Sequence, residues 1–222
     1  MPVDTPASLS PSLALTLAFA LALVAGFLLK AWLTSRQIRH VARHRQGVPA
    51  TFAAHIPLQA HQKAADYTIA QARFGLLEMA LGTAVLMGWT LMGGLDALNQ
   101  ALLSLLGGGM RQQLALLAAF ALVNGLIDLP ATLYQTFVLE QRFGFNQMTL
   151  RLWLTDLLKS TLLGALIGLP VAAAVLWLMG AAGMLSWLWA WALWMGLYLL
   201  LLALYPTFIA PLFNKFQHLQ DE

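Results

Sequence analysis

Apolar runs of membrane-crossing length alternate along this chain with shorter polar stretches. The first run, Ser12–Leu33, is almost free of polar side chains, and about 20 such residues carry a helix across a bilayer core roughly 30 Å thick at 1.5 Å per residue. Further runs lie at about 74–98, 114–129, 157–179 and 185–205. Inside lipid every backbone N–H and C=O must find its partner within the protein, which a helix does by itself. The predicted fold is therefore all-α, a polytopic membrane helical bundle of about five transmembrane helices forming a single membrane domain over residues 1–222. Polar segments are expected at about 34–73, 130–156 and 206–222.

The boundaries carry their own signals. Residues 1–11 contain no Lys or Arg, so the first run reads as a span and not as a signal peptide, whose apolar core follows a basic stretch. From Ala31 to Arg45 the pattern places Trp32, Ile38 and Val41 near one face and basic residues on the rest, as in a helix leaving the membrane along its surface. Gly47 and Pro49 break it, and a helical segment is expected after Pro57. The second span should end near Leu98, with a turn at Gly107–Gly109, and the third near Asp128 and Pro130, since proline disrupts a helix interior. The uncharged turn at 180–184 makes a hairpin of the last two spans. Gly164 and Gly168, four residues apart, are expected to admit another helix closely, and Pro170 to kink the fourth span. Trp177, Trp187, Trp189, Trp191 and Trp194 surround the hairpin turn as an aromatic belt.

Composition and charge then orient the bundle. Hydrophobic residues make up 60% of the chain and charged ones 9%, against roughly 25% charged in a soluble domain. The net charge of +3 does not indicate a nucleic-acid partner, because the cations sit beside apolar runs. One face of the topology collects Lys30, Arg36, Arg39, Arg43, Arg45, Lys63, Arg73, Arg142, Arg151, Lys159 and Lys215, and the other only Arg111. Cytosolic loops hold the excess of Lys and Arg. The N-terminus is thus expected outside and the C-terminus in the cytosol. With no cysteine, disulfides and thiolate metal sites are excluded.

Candidate chemistry is sparse. His40 and His44 stand one helical turn apart without a third ligand on that helix, and read as part of a solvated basic face. His55, His61 and Asp66 do not share one face and read as interfacial polar residues. Glu78 in the second span and Asp128 near the end of the third are ionisable groups on spans, which are functional candidates by default. Asp128, one turn from Asn124, fits an interfacial or interhelical hydrogen bond better. There is no H-E-x-x-H zinc signature, no G-x-S-x-G elbow and no Walker loop. The only glutamates are Glu78, Glu140 and Glu222, so a double-glutamate site is also missing.

The longest polar interruption in the second half, Thr136–Lys159, mixes charges of both signs with Phe137, Phe143, Phe145 and Trp153, and suits a loop with a short amphipathic helix at a membrane surface. Here, in LYQTFVLEQRFGFNQMTLRLWLTDLLKS, again in ALYPTFIAPLFNKF at Ala203–Phe216, and more loosely in KAADYTIAQARFG at Lys63–Gly75, the sequence resembles the N-terminal membrane region of the type I CAAX prenyl proteases, integral-membrane zinc metalloendopeptidases. The resemblance implies helices enclosing an intramembrane chamber with a zinc site near its cytosolic side. In that family the zinc helix follows the segment matched by Tyr205–Phe216, and no position here matches its ligands or catalytic glutamate. No catalytic, cofactor-binding or metal-binding residue is therefore assigned, and zinc is expected only with a C-terminal peptidase portion.

The chain alone is expected to be inactive, a chamber-forming membrane part that works with a peptidase domain in cis or in trans, on prenylated or membrane peptides. The alternative is a stand-alone membrane binding or scaffold protein derived from that family. Phe143, Gly144, Phe145 and Asn146 are expected to pack near Pro206–Pro211 and, with Tyr205, Pro206, Pro211 and Asn214, to support the mouth of the zinc site. The lipid bilayer is the other expected partner, and a bacterial inner membrane the expected location.

Overall fold

In a computed structural model that describes residues 10–181 and 183–205, the chain is helical with no strand among the described residues. Six helices follow one another: α1 (Pro11–His44), α2 (Leu58–Thr90), α3 (Gly94–Leu106), α4 (Met110–Tyr134), α5 (Leu150–Ala181) and α6 (Ser186–Leu204). A π-helical turn, Gln135–Glu140, extends α4, and a 3₁₀ turn, Gly183–Leu185, precedes α6. Five helices are long and apolar enough to cross a membrane, namely α1, α2, α4 with its π turn, α5 and α6. The chain is an integral membrane protein of the expected class.

The helix ends follow local chemistry. Ser10 caps α1 by accepting from the Leu13 N–H at 3.3 Å, and Pro11 occupies a position where its missing donor costs nothing. At 34 residues, α1 is about 51 Å long, so its basic end reaches past an apolar core of roughly 30 Å, as its sequence pattern implied.

Three boundaries differ from the sequence reading. The second apolar run does not continue to Leu98: α2 stops at Thr90, and the amphipathic α3, 13 residues long, begins at Gly94. Two glycines force this break. Gly93 has φ +78°, and a Cβ on Gly94 would lie 2.8 Å from the Gly88 carbonyl oxygen. Pro130 does not end the third span either, because α4 runs through it. Proline removes one donor from the ladder, and about five residues after Pro130 the helix widens into the π turn that begins at Gln135. Finally α5 begins at Leu150, capped by the Thr149 hydroxyl, which accepts from the Leu152 N–H at 3.3 Å. The polar interruption thus shrinks to a turn at 141–149, and α5 continues through Pro170.

The described residues group into two compact units. One comprises those up to Gln100 with Asn124–Gln147, and the other Ala101–Val123 with those from Met148 onward. In the first, α1 packs along α2, and Trp89 of α2 donates its indole N–H to Asn124 Oδ1 of α4 at 3.1 Å. Its buried residues are Ala65 and Leu139. In the second, α5 and α6 form the expected hairpin, with Trp153 and Gln112 buried. Among the described residues no helix comes close to Gly164 or Gly168: a Cβ on either would meet nothing within 4 Å. They floor an open apolar groove of about 780 Å³, walled by Leu163, Ile167, Leu197 and Leu201 and reached by Trp194 and Tyr205. The five tryptophans of the hairpin are all exposed.

Candidate functional site

The π turn and the turn after it bring together residues that the sequence had singled out. The end of this helix is a Schellman motif: Gly144 N–H donates to the Gln141 carbonyl and Phe145 N–H to the Glu140 carbonyl, both at 3.0 Å. Gly144 takes the left-handed conformation the motif needs, φ +73°, at a cost no other residue type matches. The motif turns Phe143 and Phe145 toward the same ring. Tyr67 of α2 meets both edge-on, at centroid distances of 5.3 Å and 4.7 Å, the geometry favoured by aromatic quadrupoles. Lys63, one helical turn before Tyr67, places its ammonium 5.4 Å from the Phe145 ring centroid and 3.6 Å from where a Cβ on Gly144 would sit. Asn146 is half-buried.

A second set of polar contacts fastens the end of α1 to the start of α2. Arg45 holds Asp66 with two parallel bonds, Nε to Oδ1 at 2.6 Å and Nη2 to Oδ2 at 2.7 Å, the fork geometry that makes arginine pairs specific. Asp66 lies on the polar first part of α2, ahead of the apolar run that begins at Phe74. The hydrogen bonds from Arg45 hold its carboxyl below the ordinary carboxylate range. His61 Nε2 donates to the His44 carbonyl at 3.0 Å, and Gln62 donates to Gln46 at 3.1 Å. His44 Nδ1 donates to the His40 carbonyl at 2.8 Å. His44 and His61 thus serve helix ends.

Where α2 passes the π turn, a cavity of about 560 Å³ opens, lined from α2 by Ala70, Arg73, Phe74 and Leu77, and from the other side by Tyr134, Val138, Leu139, Arg142 and Phe143. Phe74 and Tyr134 meet across it at 4.9 Å. Lys63, Tyr67, Ala70, Phe74 and Leu77 recur every three to four residues and so form one stripe of α2.

Other candidates separate from this cluster. The carboxylates of Glu78, half-buried, and Asp128, exposed, have no hydrogen bond among the described residues. The interhelical bond expected of Asp128 is made instead by Asn124, whose amide oxygen accepts from Trp89. Tyr205, the last residue described, is exposed at the end of α6. Pro206, Pro211 and Asn214 lie outside the described residues. Among the described residues no three His, Asp or Glu side chains come together, so the described residues offer no ligand set for a zinc ion.

The sequence reading missed Tyr67 and the Arg45 to Asp66 pair. Lys63, Asp66 and Tyr67 stand at i, i+3 and i+4, which puts them on neighbouring positions of one helix face, and that spacing was a readable signal. Their partners, 21 and 76 or more residues away, were not.

Known proteins resemble this chain over the same elements. A family model described as "CAAX prenyl protease N-terminal, five membrane helices" matches residues 37–215. The CAAX prenyl protease 1 homolog of Arabidopsis thaliana is 39% identical over 108 residues, covering 49% of this chain and 26% of that protein. The human homolog is 36% identical over 110 residues, covering 50% and 23%, and the Saccharomyces cerevisiae CAAX prenyl protease 1 is 37% identical over 111 residues, covering 50% and 24%. The crystal structure of S. mikatae Ste24p superposes with a TM-score of 0.81 at 27% identity, covering 90% of this chain and 48% of that one. The matched stretch thus spans about a quarter of each curated relative and about half of the solved chain. With 179 of its 222 residues matched (37 to 215 inclusive) and its five long apolar helices in place, this chain belongs to the family of CAAX prenyl protease N-terminal membrane domains.

Proposed function

We propose that this chain is the chamber-forming membrane part of a CAAX prenyl protease-like zinc metalloendopeptidase, and that the zinc ligands and catalytic glutamate are supplied by a peptidase portion in cis or in trans. The single observation behind the reading is the family match over 37–215, which covers the helices that would form the chamber wall. Phe143, Gly144, Phe145 and Asn146 then serve as one support of the zinc-site mouth. The edge-on contacts of Phe143 and Phe145 with Tyr67, which tie that turn to α2, support this reading. Tyr205, Pro206, Pro211 and Asn214 belong to the same proposal from the C-terminal side.

In this reading the N-terminus lies outside and the C-terminus in the cytosol, following the eleven-to-one charge division given above. The relatives named here are eukaryotic and lend no support to the expected bacterial inner membrane. Because the chain has no cysteine, single substitutions report orientation cleanly. A Gly108→Cys thiol should react with an impermeant maleimide from outside and a Gln46→Cys thiol should not, whereas the reverse pattern would invert the topology.

Function is tested by mixing. The purified chain and a separately expressed peptidase portion, alone and together, are assayed for bound zinc and for cleavage of a prenylated CAAX peptide. Zinc-dependent cleavage in the mixture alone is the expected result. A mixture that stays inert while both parts are folded would return the chain to the scaffold reading.

A further inference from the structure

The cavity between α2 and the π turn pairs two unusual features. Its floor is apolar and aromatic, yet Arg73 and Arg142 both line it. Both arginines are exposed, and neither has an ion-pair partner among the described residues. Asp66, whose carboxyl also feels the charge of Arg142, is already held by both arms of Arg45. Glu78 and Glu140 are not among the lining residues. Two arginines lining one half-apolar space, Arg142 with its guanidinium 5.9 Å from the Phe143 ring centroid, attract an anion that also carries hydrocarbon, and the fork geometry of arginine suits a phosphate.

Position along the chain says where such a ligand comes from. Arg73 is the last cation before the apolar run of α2, and Arg142 the first after that of α4, with only Arg111 between them in sequence. Cations at the ends of apolar helix segments sit at headgroup depth. Tyr134 adds an amphipathic ring of the kind enriched there. The π turn is the local device that opens the space, since its extra residue per turn widens the helix where Val138 and Leu139 face α2. A volume of about 560 Å³ lies in the range of small-ligand sites. We infer that this cavity binds an anionic phospholipid, its phosphate held by Arg73 and Arg142 and the start of an acyl chain laid on Phe74, Leu77 and Val138. The site goes beyond the protease reading and stands whether or not a peptidase portion joins the chain.

Native mass spectrometry of the purified 222-residue chain in neutral detergent tests this, with phosphatidylglycerol, phosphatidylcholine of the same acyl chains, and inorganic phosphate as probes. Phosphatidylglycerol should bind at least about tenfold tighter than phosphatidylcholine, and R73Q/R142Q should lose about 25-fold, from about fivefold per cation near an anionic headgroup. R36Q/R39Q on α1 should stay within about twofold of wild type, and L77Q should weaken the lipid without changing the response to phosphate. Equal binding of the two lipids by the wild-type chain would overturn the proposal, whatever the variants do. So would an equal loss in R36Q/R39Q, which would mark diffuse surface charge, or competition by inorganic phosphate at lipid-like concentrations, which would mark a plain anion site. Should R73Q/R142Q fail to fold, the wild-type lipid preference and R73K/R142K, which keeps the charge and should retain more than half of that preference on a logarithmic scale, decide the matter.

Discussion

The joint between α2 and the 141–149 turn and the hairpin of α5 and α6 solve the same problem, holding helices together in lipid, in opposite ways. The joint uses directed contacts, two edge-on aromatic pairs and a Schellman turn, and a forked ion pair ties the same helix α2 to the end of α1. The hairpin has an apolar groove floored by glycines, and among the described residues no hydrogen bond or ion pair joins α5 to α6 across it. Between apolar helices in lipid there is no hydrophobic gain to be made by association, so packing and hydrogen bonds must do the work. The difference teaches where this protein's structure is specified by itself and where it is left open. The joint is complete within its unit, whereas the groove presents apolar surface that lipid or protein can fill at little cost.

Mutations can break this contrast, and the largest effect should come from its centre. Tyr67→Ala removes two edge-on pairs, each worth about 0.5–1.5 kcal/mol beyond area, so a loss of about 1–3 kcal/mol is expected in thermal unfolding. Amide exchange over 141–149 should rise with it, and an unchanged exchange rate would show that the turn holds without the ring. Gly144→Ala comes next: forcing a Cβ into the left-handed region costs about 1–2 kcal/mol, and the same exchange measurement should register it. Trp89→Phe removes the bond to Asn124 Oδ1 at about 0.6–1 kcal/mol, visible as a modest fall in Tm.

The Arg45 to Asp66 pair adds a pH dependence of smaller size. Folding holds the Asp66 carboxyl below its ordinary range, so the folded state binds its proton less readily than the unfolded state. That stabilisation is present above the unfolded value and is lost as pH falls through the lowered folded one. Wild type should therefore lose more stability than Asp66→Asn over the acid limb of a Tm profile, and parallel curves would show that the pair is silent. The smallest effect belongs to the groove. Gly168→Ala meets open space and improves helix propensity, so stability should change by less than about 1 kcal/mol. A large loss would reveal a tightly seated occupant.

Much of the fold was legible because hydropathy in a membrane protein is a direct physical signal. Five runs long enough to span became five long helices, and the cations at their ends marked their limits. The misses share a cause. Pro130 inside α4, the early stop of α2 at Thr90 and the early start of α5 at Leu150 all depend on backbone hydrogen bonding within a few residues, where hydropathy is nearly blind. The glycine pair at Gly93 and Gly94 was the one available warning of the α2 stop. Of the candidate site, Phe143–Asn146 drew attention by its phenylalanines and glycine, whereas Lys63 and Tyr67 stood inside the looser family-like stretch Lys63–Gly75 with nothing to say that they meet those phenylalanines.

What the sequence determined by itself was the class of molecule, the number of spans and the family, because each is written in local composition or in matching strings. Tertiary structure alone decided that Tyr67 serves both phenylalanines, that Asp66 belongs to Arg45 and not to a histidine cluster, that Asn124 and not Asp128 makes the interhelical bond, and that Arg73 and Arg142 line one cavity. Each joins residues distant in the chain, and such pairings are set by how helix faces meet, a quantity that no single helix carries in its own sequence.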